Sequence, residues 1–246
     1  MSTTRRVALV TGGAAGIGLA TCRRLAADGF LLAVGDLDLD GAADAAGPHG
    51  FSGPLDVADE ASVGDFVGAA TQFLGRIDVL VNNAGITGDQ SATELHNTPV
   101  AQWDKVMAVN VRGPFLLSRA VLPIMIDQGS GHVITIASVA GQVAFPGRSA
   151  YTTSKGAALQ LARSIAVDYA SAGIRSNAVC PGMAHTAMTS WRLDDPGLRA
   201  QIERRIPLGR VASADEVADL VSVLASDRLH YPTGAALVID GGYTAL

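Results

Sequence analysis

Short runs of apolar residues alternate along the chain with longer segments in which apolar positions recur every three or four residues. The short runs predict strands that are buried on both faces, and the longer segments predict amphipathic helices. Regular alternation of the two is typical of repeated βαβ units and therefore of a parallel sheet. The predicted strands are Arg6–Thr11, Leu31–Asp36, Phe51–Asp56, Val79–Asn82, His132–Ala137, Arg175–Cys180 and Ala236–Ile239.

The helical segments between these strands are long enough to cover both faces of one sheet. No repeat, linker or low-complexity tract divides the chain, so we expect residues 1–246 to form one domain. The predicted fold class is α/β, a doubly wound domain of the Rossmann type with a seven-stranded parallel sheet flanked by helices. The predicted helices are Ile17–Asp28, Leu39–Ala46, Ala61–Phe73, Pro99–Ile126, Ser149–Ser171 and Ala214–Ala225.

Residues 184–210 depart from this alternation. The segment is rich in Arg and Asp, and it carries Met188 and Trp191 on a weak apolar pattern. Long irregular insertions that follow a strand are often binding loops or lids. We therefore predict a lid over the substrate, and an ordinary surface helix-loop is the alternative.

Composition excludes several classes of protein. Hydrophobic residues make up 48% of the chain and charged residues 17%, which excludes an extended disordered chain. The net charge of −5 argues against nucleic acid and anionic membranes as partners. Cys22 and Cys180 form neither a disulfide framework nor a metal motif, so we expect a cytoplasmic protein with no catalytic metal.

A glycine-rich turn, TGGAAGIG at residues 11–18, connects the first strand to the first helix. Glycines at this place permit a tight turn and let dinucleotide phosphates approach the N–H groups of the helix N-terminus. The second strand ends at Asp36, whose carboxylate can accept hydrogen bonds from a ribose 2′-OH and would repel a 2′-phosphate. The pattern favours NAD over NADP; a solvated acid at the strand end is the alternative for Asp36.

Tyr151 and Lys155 are four residues apart on a predicted helix, so their side chains leave the same face. A neighbouring ammonium stabilises the phenolate and lowers the pKa of the phenol from about 10. Such a pair can move a proton to or from an alcohol or carbonyl oxygen. Since this spacing also arises by chance, an incidental pair on a surface helix is the alternative.

Taken together, the motifs resemble those of the short-chain dehydrogenase/reductase family, in its type of about 250 residues, from end to end. Two small-residue changes, Ala137 and Thr153, are the departures from the family pattern, and neither removes a catalytic group. The matching elements are TGGAAGIG at 11–18, Asp36, Asp56-Val57, NNAG at 82–85, Asn110, Ser138, YTTSK at 151–155 and PGMAHT at 181–186.

The resemblance implies four catalytic residues. Tyr151 is the acid/base at the substrate oxygen, and Lys155 lowers its pKa and binds the nicotinamide ribose. Ser138 polarises the carbonyl, and Asn110 holds a water that links Lys155 to solvent. The implied cofactor-binding residues are Gly12, Gly16, Ile17, Gly18, Asp36, Leu37, Asp56, Val57, Asn83, Ala84, Gly85, Tyr151, Lys155, Pro181, Gly182, Ala184 and Thr186.

Family members line their substrate pocket with residues between the serine and the tyrosine and with residues of the segment after the sixth strand. Arg148 lies in the first of these regions, where it is either a partner for an anionic substrate or a surface residue. The resemblance also implies a homotetramer. The substrate candidates are Gln142, Phe145, Arg148, His185, Met188 and Trp191.

The predicted function is the NAD(H)-dependent interconversion of a secondary alcohol and a ketone, with a small, moderately hydrophobic substrate. An NADPH-dependent 3-oxoacyl-thioester reductase would use the same catalytic residues, but Asp36 argues against it. A catalytically silent, dinucleotide-sensing regulator is a further alternative, against which stand Ser138, Tyr151 and Lys155.

Overall fold

The computed structural model describes residues 5–89, 93–226 and 228–245, so the ends of the predicted domain 1–246 lie outside the described residues. Its strands are all parallel and belong to one seven-stranded sheet. They are β1 (Val7–Thr11), β2 (Leu31–Asp36), β3 (Phe51–Pro54), β4 (Val79–Asn82), β5 (Gly131–Ile136), β6 (Ile174–Pro181) and β7 (Ala236–Ile239). The spatial order is β3-β2-β1-β4-β5-β6-β7, and the predicted fold class is confirmed.

Helices cover both faces of the sheet. The predicted helices all form, with ends that shift by one or two residues. The helices are α1 (Gly16–Ala27), α2 (Leu39–Ala46), α3 (Glu60–Leu74), α4 (Val100–Met107), α5 (Gly113–Gln128), α6 (Ser149–Tyr169), α7 (Ser190–Leu193), α8 (Pro196–Glu203) and α9 (Ala214–Ala225).

The core consists of two apolar layers because successive strand side chains point to opposite faces. On β1, Ala8 and Val10 pack in the layer that contains side chains of α1, α2 and α9. Leu9, between them, packs in the other layer, with side chains of α3, α5 and α6. Every residue of β1 is buried, which explains why the strand is continuously apolar in sequence.

The predicted helix Pro99–Ile126 contains a π-helical turn, Ala108–Arg112, between α4 and α5. A π turn has one residue more than an α-helical turn and often occurs at functional sites. The whole run, Val100–Gln128, is long and apolar enough to cross a membrane by length and composition alone. Half of its most apolar window is buried, however, and it packs on α3, α6 and the sheet as a core helix does.

The order of the strands reverses between β1 and β4, where the connections leave toward opposite sides of the sheet. In open parallel sheets, ligands bind in the crevice outside the carboxyl ends of the strands at this point. The segment 184–210 lies at the same edge and is more regular than predicted, since it contains α7 and α8. Its base is fixed by a bridge between Ala184 and Ala212.

Candidate active site

Two adjoining cavities open at the carboxyl edge of the sheet. The larger cavity, of about 670 Å³, lies against the ends of β1, β2, β4, β5 and β6. The smaller cavity, of about 380 Å³, lies under α7 and α8. Gly182 lines both cavities, so they meet directly after β6.

The glycine-rich turn forms one wall of the larger cavity and requires glycine on conformational and steric grounds. Gly12 and Gly16 have φ angles of +64° and +54°, which other residues adopt only with strain. A Cβ atom on Gly18 would lie 1.9 Å from the carbonyl oxygen of Gly12. Ala15, the residue before α1, provides no side-chain cap, so the first N–H groups of the helix remain available for an anionic group in the cavity.

Asn83 ties this turn to the end of β4. Its Nδ2 atom donates to the carbonyl oxygens of Thr11 and Gly12, at 2.9 Å each. The hydroxyl of Thr11 in turn accepts hydrogen bonds from the N–H groups of Asn83 and Ala84, both at 3.0 Å. The two central strand ends are thereby held as one unit, which fixes the width of the crevice.

Asp36 lines the larger cavity at the end of β2. Its Oδ2 atom accepts a hydrogen bond from the N–H of Ala14 at 2.9 Å, and its Oδ1 atom accepts one from the N–H of Asp38 at 3.1 Å. A carboxylate oxygen has two lone pairs, so each oxygen can accept a further hydrogen bond from a ligand. The next residue, Leu37, is 77% exposed and offers no positive charge.

Ser138, Tyr151 and Lys155 converge on the larger cavity from the end of β5 and the first turns of α6. The hydroxyl of Ser138 accepts a hydrogen bond from the N–H of Ala140 at 3.1 Å. The Nζ atom of Lys155 lies 5.8 Å from the centre of the Tyr151 ring and donates to the carbonyl oxygen of Ile136 at 2.8 Å. The three side chains therefore line the same cavity, as the sequence predicted.

Burial dominates the electrostatics of this cluster. It raises the pKa of Tyr151 above its usual value, and a hydrogen bond with Ser138 opposes that shift. Burial also lowers the pKa of Lys155 to about 8, an effect that the nearby Cys180 partly offsets. The resemblance implied that Lys155 lowers the pKa of Tyr151, but burial raises this pKa, and the ammonium of Lys155 donates to the carbonyl oxygen of Ile136 instead.

Asn110 lies on the π turn and is buried behind Lys155 rather than in the lining of either cavity. Its Oδ1 atom accepts a hydrogen bond from the N–H of Ile86, and its Nδ2 atom donates to the carbonyl oxygen of the same residue, both at 2.8 Å. Nδ2 also donates to the hydroxyl of Ser154 at 2.9 Å. The amide group thus holds the chain after β4 against α6.

The predicted cofactor-binding residues lie together. All of them line the larger cavity except Gly18, which is buried beneath the turn. Thr186 is held over the turn, since Thr189 accepts a hydrogen bond from its N–H at 3.0 Å. Sequence reasoning missed Thr189, although its spacing of three residues from Thr186 was a usable signal.

The predicted substrate residues separate into three groups. Met188 lines the larger cavity, whereas Phe145 and Trp191 line the smaller one. Gln142, Arg148 and His185 line neither cavity. The Nε2 atom of His185 lies 3.2 Å from the Oδ1 atom of Asp194, and the guanidinium carbon of Arg148 lies 5.8 Å from the centre of the Trp191 ring.

Sequence reasoning also missed most residues of the smaller cavity, among them Arg192, Arg205 and Tyr243. Tyr243 follows the last strand by a few residues, and its ring centre lies 5.8 Å from that of Phe145. Arg192 and Arg205 lie in the Arg-rich segment 184–210 that was predicted as a lid, which was a usable signal, whereas no local pattern pointed to Tyr243. Within the described ranges, no group of three or more His, Cys, Asp or Glu side chains is arranged to hold a metal ion.

Residues 12–244 match the family model described as "Enoyl-(Acyl carrier protein) reductase". A 2-(R)-hydroxypropyl-CoM dehydrogenase of Xanthobacter autotrophicus (strain Py2) is 55% identical, over 98% of this chain and 99% of that protein. A cis-4-hydroxycyclohexanecarboxylate dehydrogenase of Sinomonas cyclohexanicum is 40% identical, over 98% and 97% of the two chains. The crystal structure of a levodione reductase, also 40% identical, superimposes with a TM-score of 0.89 and covers 98% of each chain.

The names of these relatives describe oxidoreductases of small alcohols and ketones. They match nearly the whole chain, and the fold and the cluster of Ser138, Tyr151 and Lys155 agree with the resemblance found in the sequence. The chain belongs to the short-chain dehydrogenase/reductase family.

Proposed function

We propose that this protein interconverts a secondary alcohol and a ketone with NAD(H). The observation that carries the proposal is the position of Ser138, Tyr151 and Lys155 in a cavity whose opposite wall is the glycine-rich turn. The uncapped N-terminus of α1 and the glycines that leave room beside it fit the diphosphate of a dinucleotide. When bound, the nicotinamide supplies the chemistry of hydride acceptance and donation.

The protein handles the proton and the orientation of the substrate. Tyr151 donates its phenolic proton to the substrate oxygen during ketone reduction and accepts a proton during alcohol oxidation. Ser138 donates a hydrogen bond to the same oxygen and stabilises the negative charge that develops there. Lys155, with its pKa lowered to about 8, binds the nicotinamide ribose and exchanges protons near neutral pH.

Asn110 positions these groups. Its hydrogen bonds to Ile86 and Ser154 hold the chain after β4 against α6, immediately beside Lys155. A Cβ atom on Gly85 would lie 3.3 Å from the Oδ1 atom of Asn110 and 3.4 Å from the Nζ atom of Lys155, so the two side chains are close neighbours. We propose that Asn110 also holds a water beside Lys155, through which Lys155 exchanges protons with solvent.

Asp36 selects NAD. Asp36 lines the cavity that would hold the adenosine ribose, each of its oxygens can accept a further hydrogen bond, and its charge repels a 2′-phosphate. We expect Asp36→Ala to lower the ratio of kcat/KM with NAD⁺ to kcat/KM with NADP⁺ by about tenfold or more. Asp40→Ala, which removes an acid from the first turn of α2, is the matched control and should leave the ratio unchanged. A wild-type preference for NADPH would instead support the 3-oxoacyl-thioester reductase alternative.

The first substrate to test is 2-hydroxypropyl-CoM, because the relative that acts on its R form is 55% identical over nearly the full chain. NADH formation from each enantiomer, and NADH consumption with the corresponding ketone, measure the reaction in both directions. Panels of hydroxycarboxylates, cyclic diketones and 3-oxoacyl thioesters cover the other classes. If NAD binds but no alcohol or ketone in the panels reacts, the protein is a dinucleotide-sensing regulator and the proposed activity is wrong.

The segment 184–210 acts as the substrate lid in this proposal. Met188 and Trp191 contribute to the two cavities from this segment and are 42% and 56% exposed, so ligand binding can bury them further. Limited proteolysis with and without NADH and a ketone tests the lid. Protection between residues 184 and 210 supports it, and equal cleavage contradicts it.

The assembly proposed is a cytoplasmic homotetramer. Exposed apolar side chains on the two long helices, among them Phe115 and Val167, fit an interface between copies of the chain. Light scattering coupled to size-exclusion chromatography measures the mass, and a monomer would contradict the assembly without bearing on the chemistry.

A further inference from the structure

The smaller cavity combines apolar walls with positive charge. Phe145 and Ile206 contribute to the apolar surface, while the guanidinium groups of Arg192 and Arg205 line the same space. Arg192 lies over the Trp191 ring, at 4.5 Å from its guanidinium carbon to the ring centre. Arg205 lies over the ring of Tyr243 at 5.0 Å. The aromatic rings therefore hold two cations at the edge of an apolar pocket.

A third guanidinium, that of Arg148, lies close to Arg192. Arg148 is 5.8 Å from the centre of the Trp191 ring, so this ring contacts two arginines. The positive charge of Arg148, after burial, is the second cause that lowers the pKa of Arg192. Two like charges are thus held together where solvent screening is reduced, an arrangement that is unfavourable unless an anion compensates it.

None of the three arginines has a carboxylate partner among the described residues. Within the segment 184–210, Arg199 pairs with Glu203 and Arg210 pairs with Glu216, whereas Arg192, Arg204 and Arg205 form no such pair among the described residues. The two arginines that line the smaller cavity, Arg192 and Arg205, therefore have no carboxylate counterion among the described residues. An external anion would supply it.

The cavity lies next to the groups that react. Val139, which lines it, follows Ser138, and Arg148 precedes Tyr151 by three residues. Arg148 is the residue directly before α6, and Tyr151 lies in the first turn of that helix. Since the two cavities meet at Gly182, a substrate that places its carbonyl at Ser138 and Tyr151 can extend its other end into the smaller cavity.

From this geometry we infer that the smaller cavity binds an anionic group of the substrate, with Arg148, Arg192 and Arg205 as its partners. The inference rests on the proposed function, since it assigns the other end of the same substrate. Guanidinium groups match the planar arrangement of two oxygens on a sulfonate, a phosphate or a carboxylate. The walls formed by Phe145 and Trp191 accommodate an apolar linker between the anion and the carbonyl.

The test compares two ketones that differ in charge. One is 2-(2-oxopropylthio)ethanesulfonate, and the other is 1-(propylthio)propan-2-one, which keeps the thioether and lacks the sulfonate. We expect the wild-type kcat/KM to favour the sulfonate by about a hundredfold, and Arg192→Ala or Arg148→Ala to reduce that preference by about tenfold each, mainly through KM. Arg192→Lys should recover part of the preference, since it keeps the charge but loses the planar geometry.

Arg204→Ala is the matched control, because Arg204 neighbours Arg205 but does not line the cavity. Binding of 1-propanesulfonate, followed by NMR titration, gives a readout that does not depend on turnover, and thermal melting confirms that the variants fold. Equal kcat/KM for the two wild-type ketones, or an unchanged preference in the arginine variants, overturns the inference. Turnover of the neutral ketone in that case leaves the proposed function intact, whereas no turnover of any ketone contradicts the proposed function itself.

Discussion

The two cavities that meet at Gly182 are built in different ways. The wall of the larger cavity consists mainly of backbone, glycine and short side chains at strand ends, held by hydrogen bonds such as those of Asn83. The smaller cavity consists of long side chains from distant parts of the chain, including Trp191, Arg192 and Tyr243. Backbone geometry suits the larger cavity to one ligand that stays the same when side chains change. The ligand of the smaller cavity can change through single substitutions, because side chains form that cavity.

The largest effect is expected in the larger cavity, where Tyr151→Phe removes the proton donor from the reaction. General acid–base groups contribute about 10²–10⁴-fold to rate, so kcat should fall by that factor while the Kd for NADH, measured by fluorescence titration, stays within twofold. Tyr169→Phe, on the same helix and outside both cavities, is the control. An active Tyr151→Phe variant would disprove the proposed mechanism.

Lys155→Met tests whether burial lowers the pKa of Lys155, through the pH dependence of the unfolding free energy. The pKa of Lys155 is lowered from 10.5 to about 8, so between these values the unfolded chain binds more protons than the folded protein. The free energy of unfolding of the wild type should therefore rise with pH relative to the variant, by on the order of 1 kcal/mol per pH unit from pH 8 to 10. Urea denaturation at several pH values measures the difference, and parallel profiles would contradict the lowered pKa.

Gly18→Ala disrupts the larger cavity alone. Its Cβ atom would overlap the carbonyl oxygen of Gly12, so the turn must move, at a cost of about 1–3 kcal/mol in unfolding free energy and with weaker binding of NADH. Gly68→Ala on α3 is the control, since no neighbouring atom lies within 4 Å of its Cβ position. There alanine should stabilise the protein by about 0.5–1 kcal/mol. Equal behaviour of the two variants would show that the close approach is unimportant.

Trp191→Ala disrupts the smaller cavity alone and has the smallest expected effect. Loss of the aromatic contacts should lower kcat/KM for the substrate by about three- to tenfold, through KM, with no change in the Kd for NADH. Because the side chain is 56% exposed, the unfolding free energy should change by no more than about 0.5 kcal/mol. A weaker affinity for NADH would indicate that the two cavities are not independent.

This difference between the cavities also decided what could be predicted from the sequence. The residues of the larger cavity follow strand ends in a fixed order, so the motifs, together with the family resemblance, pointed to Gly12, Asp36 and Tyr151, all of which line it. The smaller cavity depends on how α7, α8 and the segment after β7 converge, which no local pattern encodes. The sequence predicted that Lys155 lowers the pKa of Tyr151 and gave no sign that burial raises it, because burial is a property of the whole fold.

The π turn at Ala108–Arg112 has a consequence for any attempt to recombine this chain with its relatives. Each residue of an α-helix turns it by about 100°, so the additional residue in the π turn rotates the side chains of α5 by about that angle relative to those of α4. Deleting a single residue there would restore a uniform helix and rotate Asn110 away from Ile86 and Ser154. Chimeras should therefore be joined in loops on either side and should inherit residues 100–128 as one piece.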